Sequence, residues 1–220
     1  MQLKLQERLQ SLKMLASLAT FLKNPGSLDS VFAVANSVKD SSLAEQMMRH
    51  LLEHPQFSAL VKEGWRPKAI DLSELQKLPE GTLGRCYADQ LISQGITPDA
   101  LIDPSPVNND AEYITHRLRE THDIIHVLTG FGIDGDSELG LQGFNLAQTR
   151  SPLAVMLIFG GMLAALQDDE PLAPMLHALA RGFQLGLNAD LVIARKLEEG
   201  WDRPLKDWRR DLKLAVNSDQ

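Results

Sequence analysis

Two imidazoles and two carboxylates stand close together in this sequence. His122-Asp123-Ile124-Ile125-His126 places histidines four residues apart, and Glu138 follows the second after eleven intervening residues. On a helix, positions i and i+4 share one face about one turn apart. His122 and His126 can therefore offer two nitrogens to one ion. Asp123 lies about 100° round the same helix, at the edge of that face. From there it can bind the ion or hold a ligand histidine in position. Gly130-Phe131-Gly132 then turns the chain, so Glu138 arrives on the next segment and can close the site from a second direction. The chemistry on offer is binding of a divalent metal ion.

Three other features compete with this group. His50 and His54 also stand at i, i+4, but Leu51 follows the first, Pro55 follows the second, and no glycine turn with a carboxylate comes after. They read as a structural pair. Asp134-Gly135-Asp136-Ser137-Glu138 resembles the start of a calcium loop, which needs glycine at its sixth position and glutamate at its twelfth. Leu139 and Asn145 hold those places, so the acidic run is expected to cap a helix that carries Glu138 in its first turn. Cys86 is the single cysteine, which excludes an intrachain disulfide and a thiolate metal site and fits a reducing compartment.

The elements that must position the group are helices. Asn109 or Asp110 is expected to cap a long central helix running to about Thr129, with Tyr113, Ile114, Leu118, Ile125 and Leu128 as its apolar face. Before it, helices are expected over 3–23, 27–39, 42–53, 55–64, 72–78 and 83–93. The stretch 96–109 has three prolines and reads as a linker or lid, the place for any subdivision. After it come a helix to about Gln148 and, following Ser151-Pro152, an apolar helix over 153–166 expected to be buried all round. Gly160-Gly161 in that helix, and Ala178, Gly182 and Gly186 at four-residue steps on the next, offer two smooth faces. Packing of helix on helix is the plain use; a greasy slot for a long apolar lipid is the functional one. Segments 190–199 and 205–214 complete the chain, with alternating charges that read as a solvated face. The fold class expected is all-α, a single multi-helix bundle over 1–220.

Composition narrows the function. Among 220 residues, 44% are hydrophobic and the net charge is −7, so a real core is affordable and nucleic acid is not the expected partner. The most apolar run, Leu153 to Leu166, falls short of the roughly 20 residues that span a bilayer. No secretory signal is expected. The N-terminal helix carries Lys4, Arg8, Lys13 and Lys23 against Glu7. It reads as a packed amphipathic helix or a homodimer seam, or else as a helix touching anionic lipid.

The spacing His-Asp-x-x-His, eleven residues, Glu resembles the signature of the fourth ubiquinone (coenzyme Q) biosynthesis protein family. Arg119-Glu120-Thr121 and Leu128-Thr129-Gly130 around it agree, as do Leu78-Pro79-Glu80-Gly81-Thr82-Leu83-Gly84 and Trp201-Asp202-x-Pro204-Leu205. The resemblance covers about 78–214, and 1–77 add little to it. It implies an all-helical protein, peripheral on the membrane where quinones are made, that helps hold a complex of quinone-biosynthesis proteins together. It also implies oxidative decarboxylation of a prenylated hydroxybenzoate-type precursor. His122, Asp123, His126 and Glu138 inherit the metal-ligand role, with zinc the usual assignment and iron, manganese or magnesium as alternatives. The polyprenyl tail would lie between apolar helices. Without a basic presequence the expected location is cytoplasmic, on the inner face of a bacterial membrane, where eukaryotic relatives use the mitochondrial inner membrane.

With all four residues bound, a tetrahedral zinc would be closed and structural. With Asp123 outside, two histidines and a carboxylate leave positions open, as in non-haem iron oxygen chemistry. Three functions follow: a metal-dependent decarboxylase, a lipid-binding scaffold with a structural metal, and a phosphohydrolase. The last needs a further upstream histidine and a distant aspartate that are not evident.

Overall fold

The computed structural model describes residues 2–24, 27–97 and 105–215. The expected stop at Pro25-Gly26 and the middle of the proline-rich linker lie outside them. Twelve α-helices follow one another among the described residues, and no strand forms there. The all-α expectation holds. Packing divides the chain into two compact units, 1–51 with 133–187 and 52–132 with 188–220. The boundaries fall after Leu51, Gly132 and Leu187 rather than in the stretch 96–109.

The first unit contains α1 (Gln2–Lys23), α2 (Leu28–Val38), α3 (Ser42–Leu52), α9 (Gly135–Thr149), α10 (Pro152–Gln167) and α11 (Leu172–Asn188). Phe21, Val34 and Leu157 join α1, α2 and α10 in one apolar cluster. Leu139, Ala165 and Met175 join α9, α10 and α11 in another. The four candidate slot glycines are spent on these contacts. A Cβ on Gly160 would meet the Phe21 ring at 2.7 Å, one on Gly161 would meet Leu139 at 2.7 Å, and one on Gly186 would meet the Phe144 carbonyl at 2.7 Å. At Gly182 it would run into the carbonyl of Gly140, which is backbone and cannot step aside. Gly182→Ala is therefore expected to force α9 and α11 apart and cost about 1–3 kcal/mol, read as a lower denaturant midpoint. The expectation that α10 is buried all round is corrected: Val155, Phe159 and Leu166, on one side of it, are 51%, 48% and 61% exposed.

The second unit contains α4 (Pro55–Glu63), α5 (Leu72–Leu75), α6 (Leu83–Gln94), α7 (Asp110–Glu120), α8 (His122–Thr129) and α12 (Leu205–Asp211), with short 3-10 turns at Val192–Ala194 and Leu197–Gly200. The stretches 78–84 and 201–205, distant in sequence, are stitched together here. The Leu83 amide donates to the Arg203 carbonyl (2.9 Å), Gly84 to Trp201 (2.8 Å) and Leu205 to Gly81 (2.8 Å). Thr82 also caps α6, its hydroxyl accepting from the Arg85 amide. Gly84 is required because a Cβ would meet Leu78 at 2.6 Å and Trp201 at 3.0 Å.

Two expectations about helices are corrected in this unit. The long central helix is divided at Thr121 into α7 and α8. The Thr121 hydroxyl donates to the Arg117 carbonyl at 2.7 Å, the same carbonyl its own amide uses, and such back-bonding bends a helix. The expected helix over 190–199 is two 3-10 turns instead. Buried Arg117 draws the carbonyls of Ile193 and Arg195 to its guanidinium and pairs with Glu198, so the backbone there is held by a side chain rather than by its own ladder. Trp65 lies against the same guanidinium, 5.2 Å from ring centre to Cζ.

Candidate metal centre

His122 and His126 occupy the first and second turns of α8, a helix buried on most sides through Ile124, Ile125, Val127 and Leu128. Asn109 starts α7 by accepting from the Glu112 amide, and Thr121 passes the chain into α8. Gly130 ends α8 in the left-handed region at φ 73°, the C-terminal position that suits glycine. Its amide donates to the His126 carbonyl at 2.9 Å, and the turn brings the Phe131 carbonyl to the Nδ1 edge of the His126 ring.

That carbonyl decides the chemistry of His126. Nδ1 lies 3.1 Å from the Phe131 oxygen, which can only accept. Nδ1 therefore carries the proton, and Nε2 presents its lone pair. Metal-binding histidines are commonly held in this way, with the far nitrogen donating to a carbonyl. His126 Nε2 faces His122 Nε2 at 3.3 Å, the rings nearly perpendicular. Two nitrogens bound tetrahedrally at about 2.0–2.1 Å would stand about 3.3–3.4 Å apart, so the pair has the spread a metal ion requires. His126 is buried and His122 half-buried.

Glu138 sits in the first turn of α9. Asp134 caps that helix, accepting from the Ser137 amide at 3.0 Å and hydroxyl at 2.7 Å. Those bonds hold the Asp134 carboxyl below the usual carboxylate range, so the cap is charged and suits the helix N-terminus. The acidic run is a cap, as its sequence indicates. His122, His126 and Glu138 form a group whose residue types could hold a metal ion. Two imidazoles and a carboxylate are a donor set fit for a divalent ion.

Asp123 is not a member of that group of three. Its charge is felt at Tyr87 instead, whose hydroxyl is pushed well above its ordinary range first by burial and then by Asp123 and Glu198. The structural reading of His50 and His54 gains a reason: α3 ends at Leu52 and His54 is the residue before α4, so the two do not share a helix face. Burial pushes the Cys86 thiol up, keeping it from thiolate chemistry. Two contributors carry no motif. One is the Phe131 carbonyl. The other is Arg209, within the segment read as a solvated face, which is half-buried and donates to the carbonyls of Leu128 and Val127.

The fold and the group define an all-helical protein with a three-residue site able to hold a divalent ion. The sequence pattern described as coenzyme Q (ubiquinone) biosynthesis protein Coq4 matches residues 1–218, and the chain belongs to that family. It is 29% identical over 177 residues to the mitochondrial ubiquinone biosynthesis protein coq4 of Botryotinia fuckeliana, covering 80% of this chain and 60% of that one. It is 30% identical over 205 residues to the mitochondrial COQ4 homologue of Danio rerio, covering 88% and 72%. A crystal structure of a protein from Nostoc punctiforme assigned to ubiquinone biosynthesis superposes with a TM-score of 0.84 at 32% identity, covering 94% of this chain and 99% of that one. The chain thus spans about three fifths of the fungal relative's length. No helix among the described residues is long and apolar enough to cross a membrane.

Proposed function

We propose that this protein acts on a prenylated hydroxybenzoate-type precursor in ubiquinone or related prenylquinone synthesis, with a divalent ion held by His122, His126 and Glu138. The observation that carries this reading is the histidine pair on α8, its Nε2 atoms 3.3 Å apart and the His126 tautomer already set by Phe131. The reaction is oxidative decarboxylation. The bond from ring to carboxyl carbon breaks and releases CO2, and a hydroxyl takes its place with oxygen from dioxygen. The other oxygen atom leaves as water with two electrons and two protons from an external donor. The bound ion would supply Lewis acidity and, if redox-active, access to dioxygen.

The chain's own residues do the rest. His122 and His126 would hold the ion through ring nitrogens. Glu138 would balance part of its charge. Asp123, outside the three, would leave room for a substrate carboxylate or ring oxygen. Zinc, iron, manganese and magnesium all suit the donor set, and iron suits this chemistry best. Other quinone-biosynthesis proteins are the proposed partners, with the chain working at the inner face of a membrane.

A precursor labelled with ¹³C in its carboxyl group and incubated under ¹⁸O₂ with reductant and iron(II) should yield labelled CO2 and one ¹⁸O in the ring. Asp123→Asn should keep the ion yet slow turnover about tenfold or more. Failure of folded, metal-loaded protein to convert the precursor under any divalent ion would sink the enzymatic reading.

A second reading is favoured by a separate observation. Leu9, Leu12 and Leu15 on α1, Val155, Phe159 and Leu166 on α10, and Leu176, Phe183 and Leu187 on α11 are exposed. Exposed apolar side chains on these helices suit a polyprenyl-lipid-binding scaffold on a membrane, or a homodimer, with the ion serving structure alone. Turnover separates the two readings.

A further inference from the structure

The strongest observation outside the ligand group is the clamp on the end of the histidine helix. Arg209, on α12, donates through Nε to the Leu128 carbonyl at 2.9 Å and through Nη2 to the Val127 carbonyl at 3.0 Å. These are two of the last carbonyls of α8, which have no partner within the helix. No carboxylate pairs with Arg209 among the described residues. A half-buried guanidinium is thus committed to backbone oxygens at the negative end of a helix dipole. A planar fork is pre-organised to hold two adjacent carbonyls at once, where an ammonium is a compact charge on a flexible stem.

What lies within reach of the clamp makes it more than a packing device. Val127 and Leu128 directly follow His126, and the Gly130 turn follows them. That turn delivers the Phe131 carbonyl to His126 Nδ1. We propose that Arg209 is a positioning residue for metal binding: by fixing the last turn of α8 it fixes the Phe131 carbonyl, and through it the tautomer and aim of the His126 ring. The inference rests on the metal reading above and deepens it. It assigns a role to a residue 83 positions after His126 in a segment whose charges resemble a solvated face.

The test compares the full-length chain with Arg209→Met and Arg209→Lys. Two readouts are taken on folded protein. One is cobalt(II) affinity, by competition with a chelator, together with the visible spectrum of the bound ion. The other is the ¹⁵N signature of the His126 ring in metal-free protein, which reports the tautomer directly. The wild type is expected to show a single tautomer protonated at Nδ1. Arg209→Met should bind cobalt(II) about 10- to 100-fold more weakly, with a changed spectrum and mixed tautomers. Arg209→Lys, which keeps the charge but lacks the rigid fork, should fall between. If the methionine variant does not fold, the lysine variant decides on the same readouts.

Wild-type cobalt affinity, spectrum and tautomer in a folded variant would overturn the proposal while leaving the metal reading intact. A wild type that takes up no cobalt would overturn the metal reading. The tautomer comparison then still reports whether Arg209 controls the His126 ring.

Discussion

His126→Ala is expected to abolish stoichiometric metal binding. Structural zinc sites bind with about 10–16 kcal/mol spread over four ligands, so one lost ligand costs roughly 10²- to 10³-fold in affinity. His126 is the ligand with least freedom: it is 2% exposed, and its ring is held at Nδ1 by the Phe131 carbonyl. Chelator competition followed by elemental analysis measures the loss. His54→Ala is the matched control, a histidine from the other i, i+4 pair, and should leave metal content unchanged. Asp123→Asn should change affinity no more than severalfold, because Asp123 stands outside the group of three. If it proved as damaging as His126→Ala, the ion would be held by four residues and the site closed.

Arg117→Met is expected to destabilise the fold by about 3–5 kcal/mol, measured as a lower urea midpoint. Arg117 is 1% exposed, and its partner Glu198 has 4% of its side chain exposed. One Glu198 oxygen already lacks a hydrogen-bond partner among the described residues. Removing the guanidinium would strand a buried carboxylate and release the carbonyls of Ile193 and Arg195 as well. A double change, Arg117→Met with Glu198→Leu, should recover most of the loss, since no buried charge is then left alone. Additive losses in the double variant would show that the carbonyl bonds matter more than the ion pair. The main-chain carbonyl of residue 117, which accepts the Thr121 hydroxyl and amide, is kept in both variants, so the loss reports the guanidinium alone.

Much of this architecture can be read from residue spacing. Leucine periodicity marks α1, Asn109 marks the start of α7, Thr82 that of α6, and Ser151-Pro152 that of α10, because each cap is a local hydrogen bond written in local sequence. The histidine pair is legible for the same reason: both residues lie on one short helix. What escaped is non-local. The break at Thr121 depends on a hydroxyl choosing a carbonyl that the helix also uses. The 3-10 turns depend on Arg117, 76 residues before Ile193, taking carbonyls a helix would have kept. Charges in 205–214 alternate as on a wet surface, yet Arg209 turns inward because α8 ends beside it with unused carbonyls. The glycines of α10 and α11 mark points of close approach in the sequence, but only packing shows that Phe21, Leu139 and the backbone of α9 do the approaching.

The most direct measurement is an anomalous-scattering map, at the absorption edge of zinc or iron, from crystals of metal-loaded protein. The expected result is one peak per chain about 2.0–2.2 Å from Nε2 of His122, Nε2 of His126 and a Glu138 carboxylate oxygen, with Asp123 outside bonding distance. A peak held by Asp123 in place of Glu138, or protein saturated with the ion and no peak at the histidine pair, would contradict it.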